Sequence, residues 1–200
     1  GYTIMAEFIQ TPEFLMSFPY LITAQMPRPN KDGSPSGKKA KYSVVMLFEK
    51  GEDLSALKKL VQDYAIEKFG PDKAKWPKLK LPFRDQADRL EGPKPLAGYV
   101  AGAIFATPTS ERRPPVVGPD ARTIITNEAD IYAGCYGRAF VNVFYYKVEG
   151  NQGLSFGLQM VQKTRDGEPL AGGVSIDAAL AAFEPVGDVS ETKDSTGLFD

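Results

Sequence analysis

Residues 131–148 read IYAGCYGRAFVNVFYYKV, and their alternation constrains the chain more than any other stretch. The segment is rich in aromatic and β-branched residues and keeps a period of two, so it reads as one long strand. On one face fall Ile131, Ala133, Cys135, Gly137, Ala139, Val141 and Val143, small or branched groups suited to the inside of a tight barrel. The opposite face carries Tyr132, Tyr136, Arg138, Phe140, Asn142, Phe144 and Tyr146. Bulk there lies beside a cation and an amide, as in a platform that stacks flat ligands such as bases. A covering helix or a partner subunit, for example in a homodimer, is the equally open structural alternative.

A chain of 200 residues is expected to form one domain with a substantial core. No apolar run approaches the roughly 18 residues of a membrane span, and the first residues lack a secretory signal, with Met5 expected as the native start. The single cysteine, Cys135, has no internal partner and fits a reducing compartment, where it serves as a small buried hydrophobe. With no histidine, His-based zinc sites and the usual Ser-His or Cys-His nucleophiles are excluded, so no catalytic residue and no cofactor is expected. The net charge of -1 hides an asymmetry: residues 184–200 hold five acids and one base, while the rest holds 23 bases and 20 acids. A mildly basic body with an acidic tail points to a polyanionic partner.

Ahead of the central strand, residues 14–26 read as a first strand in which Pro19 requires an edge or a bulge. Residues 27–41 form a Pro-, Gly-, Ser- and Lys-rich loop bearing Lys31, Lys38, Lys39 and Lys41. It is either a solvated connection or a basic arm that orders on a phosphate backbone. A second strand spans 41–49; a helix capped by Asp53 then runs to Phe69, with Leu54, Leu57, Leu60, Val61 and Tyr64 as its apolar stripe. The basic stretch around Trp76 allows either a structural cap or a stacking residue, and Arg84 is a weak candidate contact. Residues 96–107 read as a third strand with Tyr99 and Phe105 on one face, second-rank stacking candidates. Arg112 and Arg113 precede a stiff Pro-Pro that presents both guanidinium groups outward.

After the turn at 149–153, residues 154–165 form a second long strand, giving a hairpin. A short helix at 176–183 completes the folded part, and residues 185–200 lack periodicity and end in Leu198, Phe199 and Asp200. Phosphate-binding glycine loops, paired CxxC motifs and inward acid clusters are all missing from the sequence.

The stretches KYSVVMLFEKGEDLSALK, LPFRDQAD, RPPVV, IYAGCYGRAFVNVFYY and GLSFGLQMVQKTRDGEPLAGG resemble a family of bacteriophage single-stranded DNA-binding proteins with an OB fold. They span residues 14–183, most of the chain. The resemblance implies sequence-tolerant binding of single-stranded DNA in phage replication, recombination or repair, in the cytoplasm of the infected host. It also implies that the acidic tail contacts replication enzymes through Leu198, Phe199 and Asp200. The expectation is therefore a mainly β protein, an OB-like five-stranded barrel with an inserted helix, a long hairpin and extended loops, over residues 5–184. A disordered acidic tail at 185–200 follows. DNA is expected on Tyr132, Tyr136, Arg138, Phe140 and Phe144, on Tyr99 and Phe105, and on Lys38, Lys39, Lys41, Arg112 and Arg113. A protein-binding module or a virion structural protein is the alternative.

Overall fold

A computed structural model of the chain describes residues 8–170 and 176–187. Leu198, Phe199 and Asp200, with most of the expected tail, lie outside the described residues. The elements in order are β1 (Ile9–Gln10), β2 (Phe14–Gln25), β3 (Lys41–Leu47), α1 (Ser55–Phe69), β4 (Arg84–Asp85) and β5 (Ile104–Ala106). Then come β6 (Thr109–Ser110), β7 (Val116–Val117), β8 (Tyr136–Val148), β9 (Asn151–Arg165) and α2 (Ile176–Ala182).

Five of these strands close a ring in the order β8, β2, β3, β6, β9 and back to β8. Its pairings are antiparallel except β6 with β9, which run parallel. The smaller strands extend this ring: β1 on β8, β7 on β9, and β5, carrying β4, on β3. The expected OB-like architecture is therefore present as a five-stranded ring with α1 inserted between β3 and β6. Its interior is filled by Phe14, Met16, Leu21, Val44, Met46, Val141, Phe156 and Val161, each at most 1% exposed.

Helix α1 forms where expected, but its N-cap is Leu54, which makes no side-chain cap bond, and Asp53 lies one residue before it. The Asp53 carboxylate accepts the Ser55 amide at 3.0 Å, and Gly70, at φ 91°, receives the chain in a conformation that side chains disfavour. Leu57, Val61 and Ala65 are buried against the ring, while Leu60 and Tyr64 are half-buried. The Tyr64 hydroxyl accepts the Tyr145 amide at 3.1 Å, tying the helix to the hairpin. Trp76 has the structural role: its indole N–H donates to the Gly70 carbonyl at 2.7 Å and its ring packs on the core.

Two strand expectations are corrected. Strand β8 begins at Tyr136, not at Ile131. Gly134, at φ 115°, turns the chain just before it, and the backbone passes so close to the Glu168 carbonyl that a Cβ at 134 would collide with it. The segment 96–107 is strand only at Ile104–Ala106, because Gly98 and Gly102 both take positive φ and fold the rest into turns. Pro19 resolves as a bulge: Phe18 has φ 43° and the β2–β3 register shifts between Ser17 and Tyr20.

Candidate nucleic-acid interface

Strand β8 keeps the predicted alternation. Gly137, Ala139, Val141 and Val143 are buried, while Arg138 and Phe144 are exposed and Phe140 and Asn142 half-buried. Across the hairpin, Tyr136 is the register partner of Arg165, Arg138 of Gln162, Phe140 of Met160, Asn142 of Gly157 and Phe144 of Ser155. Directly paired residues project to the same side of a sheet, so these side chains share the outer face.

The ladder continues around the ring: Gly157 pairs with Thr109, Thr109 with Ser43, and Ser43 with Tyr20. One row thus crosses five strands as Asn142, Gly157, Thr109, Ser43 and Tyr20. Ser43 and Gly157 are buried in this track, Tyr20, Thr109 and Asn142 are half-buried, and on β8 it is flanked by Phe140 and Phe144, two residues to either side of Asn142. The Asn142 side chain lies over Gly157, where a Cβ would displace it, and accepts a 2.9 Å hydrogen bond from the Gln159 amide. Tyr20, Ser43 and Thr109 escaped the sequence reading because strand register around a closed ring leaves no local signature.

At the border of this track two basic segments meet. Tyr42 is the register partner of Ser110, which places the start of β3 beside the arginine pair. The Arg113 guanidinium lies 5.9 Å from the Tyr42 ring centroid, and Lys39 reaches Glu111 at 3.8 Å. The Ser110 hydroxyl accepts the Arg112 amide at 3.1 Å and donates to its carbonyl at 2.7 Å, fixing the turn that presents the arginines. Lys38, Lys39, Lys41, Arg112 and Arg113 are all exposed. The loop and the arginine segment, read separately from the sequence, thus form one cationic rim.

Tyr136 and Tyr132 occupy the other end of the β8 face. The Arg165 guanidinium carbon sits 3.6 Å from the Tyr136 ring centroid, and Arg165 also binds Glu13 at 2.9 Å. That guanidinium holds the Glu13 carboxyl below the usual carboxylate range. The Tyr132 hydroxyl donates to Asp166 at 2.7 Å, and Lys163 binds the same carboxylate at 2.7 Å. Burial and then the hydrogen bond to Asp166 push the Tyr132 phenol up to about 12. Lys163, beside the Tyr132 ring, also donates to the Asp130 carbonyl at 2.8 Å, so this network braces the turn before β8. Tyr132 is held in this network and, with Tyr136, Arg165 and Pro169, lines an open cleft of about 810 Å³. Sequence reading missed Glu13, Lys163 and Arg165; the pairing of β9 with β8 brings Arg165 to Tyr136 on the aromatic face, while Lys163 pairs with the inward Gly137 and is buried.

Tyr99 and Phe105 are corrected. They are 7% and 2% exposed and pack edge to face, with ring centroids 6.0 Å apart, against Leu47. Phe105 is the β5 partner of Leu47 in the sheet and the turns at Gly98 and Gly102 bring Tyr99 against it, so the Phe105 ring is covered, while Tyr99 keeps a small exposed part in a cleft that it lines with Tyr20. Arg84 lies 5.3 Å from the Phe105 ring centroid and pairs with Asp88 at 3.3 Å. Among the described residues no group of three or more metal-ligating side chains is found, and no helix is long and apolar enough to cross a membrane.

Comparison with known proteins identifies the family and the fold. Residues 24–194 match the family described as Enterobacter phage Enc34, ssDNA-binding protein. A curated relative, putative protein p50 of Acyrthosiphon pisum secondary endosymbiont phage 1, is 31% identical over 97 residues, 48% of this chain and 49% of that protein. The match thus spans about half the length of that relative. The solved single-stranded DNA-binding protein from bacteriophage Enc34 in complex with ssDNA has a TM-score of 0.62 at 20% identity, covering 83% of this chain and 90% of that one. The structure of gp2.5, a single-stranded DNA-binding protein encoded by bacteriophage T7, has a TM-score of 0.53 at 13% identity, covering 91% and 97%. At these identities the structures share the fold with this chain. The family match covers most of the sequence, and the chain belongs to the family of the Enterobacter phage Enc34 ssDNA-binding protein.

Proposed function

We propose that the chain binds single-stranded DNA with little regard to sequence, along the outer track from Tyr20 to Asn142. The observation that carries this reading is the row of register partners from Tyr20 to Asn142, bordered by the exposed cations of two neighbouring segments and by Phe140 and Phe144, in a chain of this family. OB folds bind oligonucleotides across the corresponding strands and loops. Stacking contributes about 1–3 kcal/mol per base on any base, and cations neutralise phosphates, so affinity falls with salt. The chemistry is that of a non-enzymatic binding protein. Fluorescence titration with oligo-dT and with a duplex of equal length, at low and moderate salt, tests it. Tighter, salt-dependent binding to the single strand is expected. Equal affinity for both, or no binding, would favour a protein-binding module or a virion component instead.

The same proposal places the protein in phage DNA replication, recombination or repair in the cytoplasm of the infected host. Residues 5–184 would act as the DNA-binding domain. Residues 185–200 would reach replication enzymes, with Leu198, Phe199 and Asp200 at the contact. Pull-down with and without residues 185–200 tests the tail, and sedimentation tests whether a homodimer forms.

A further inference from the structure

We propose that Glu13 is a built-in competitor for the phosphate backbone, holding Arg165 in a neutralised state that a bound strand must displace. The inference rests on the binding function proposed above and adds a site and a device to it. Arg165 directs both its Nε, at 3.2 Å, and its Nη2, at 2.9 Å, at a single Glu13 oxygen, Oε1. The other Glu13 oxygen accepts the Thr164 hydroxyl at 2.8 Å. One carboxylate thus occupies the edge of a guanidinium whose flat face is stacked on Tyr136. Guanidinium groups receive phosphate oxygens along that same edge, so Glu13 holds the position a phosphate would take.

Three further observations favour exchange over permanence. The pair is open to water, its side chains being 58% and 41% exposed, and exposed ion pairs are weak enough to trade partners. Tyr136 and Arg165 line two clefts and Glu13 lines one of them, so the ion pair sits at the edge of open surface that continues from the β8 face. Finally, Glu13 also feels Arg138, the next outward cation along β8, so its charge lowers the positive potential of two cations on that face.

The arrangement has a definite consequence for binding. Strand entry releases Glu13 to solvent and transfers Arg165 to a phosphate while its stack on Tyr136 is kept. Affinity is thereby lower, and less salt-dependent, than the cations alone would give. Removing the carboxylate should do the reverse.

Oligo-dT titrations at several salt concentrations, with the full chain and with Glu13→Gln, Arg165→Gln and the double variant, test this. Glu13→Gln is expected to tighten binding several-fold at low salt and to steepen the plot of log affinity against log salt by up to about 0.7, the increment for one neutralised phosphate of a single strand. Arg165→Gln should weaken binding and flatten the plot, and Glu13→Gln should have no effect on that background. A purely structural clamp between β2 and β9 would lower the melting temperature in Glu13→Gln and leave affinity and slope unchanged, which overturns the inference. Thermal melts on every variant separate the two, and Glu13→Asp, which keeps the charge, should bind as the unaltered chain does. If the unaltered chain binds no single strand, the function proposed above fails as well. If it binds and Glu13→Gln is neutral, only this inference fails.

Discussion

Tyr42 and Ser110 are register partners on β3 and β6, and their pairing sets the lysine loop against the arginine pair. The rim so formed predicts the salt response. Replacing Lys38, Lys39, Arg112 and Arg113 with Gln should flatten the log affinity–log salt plot for oligo-dT by about 0.7 for each phosphate that is no longer neutralised. Far-ultraviolet circular dichroism should be unchanged, since all four are exposed. An unaltered slope would mean that the rim is solvated and the backbone runs elsewhere.

Phe144 and Phe140 should separate binding from stability. Phe144 is 37% exposed beside the track, so Phe144→Ala is expected to weaken oligo-dT binding roughly five- to a hundredfold while the denaturation midpoint hardly moves. Phe140, half-buried opposite Met160, should lose both affinity and stability when truncated. Titration and urea unfolding of the two variants check this; equal affinity in folded Phe144→Ala would remove that ring from the interface.

Tyr99 and Phe105 should show the opposite pattern. Phe105→Ala is expected to cost about 3–5 kcal/mol of unfolding free energy, as truncation of a buried aromatic does. Tyr99→Phe removes a 3.1 Å hydrogen bond to the buried Ser17 hydroxyl and should cost about 1 kcal/mol. Oligo-dT affinity of the folded fraction should be unchanged in both. A binding defect without a stability defect would place these rings back in the interface.

Tyr132 should be the late tyrosine in an ultraviolet titration. Its phenol is pushed up to about 12 from an ordinary value of 10.0, by burial first and by Asp166 second. Because the folded state favours the neutral phenol, the stability linked to it is in place below about pH 10 and is lost as pH rises through about 12. Tyr132→Phe should delete this late step from the absorbance curve and loosen the turn before β8. A curve identical to that of the unaltered chain would assign the late step to another tyrosine.

Much of this protein is legible in short-range pattern. The alternation from Tyr136 to Val148 gave the strand, its small inner face and its aromatic outer face, because a period of two is set by backbone geometry alone. Asp53 and Gly70 bounded α1 for equally local reasons, one by accepting an end amide and the other by tolerating positive φ. Lys38, Lys39, Arg112 and Arg113 were recognisable as cations on stretches too rich in Pro and Gly to pack. What the sequence could not decide is which of these pieces meet. The track from Tyr20 to Asn142 exists only because five strands close in one register, and each contributing residue is ordinary in its own neighbourhood. Tyr99 and Phe105 look like an outward aromatic pair until β5 pairs Phe105 with Leu47 and the turns at Gly98 and Gly102 bring Tyr99 onto both. Glu13 and Arg165 become partners only when β2 and β9 are brought to either side of β8. Local chemistry fixes what each side chain can do, whereas closure of the ring, a cooperative and long-range event, decides what it faces.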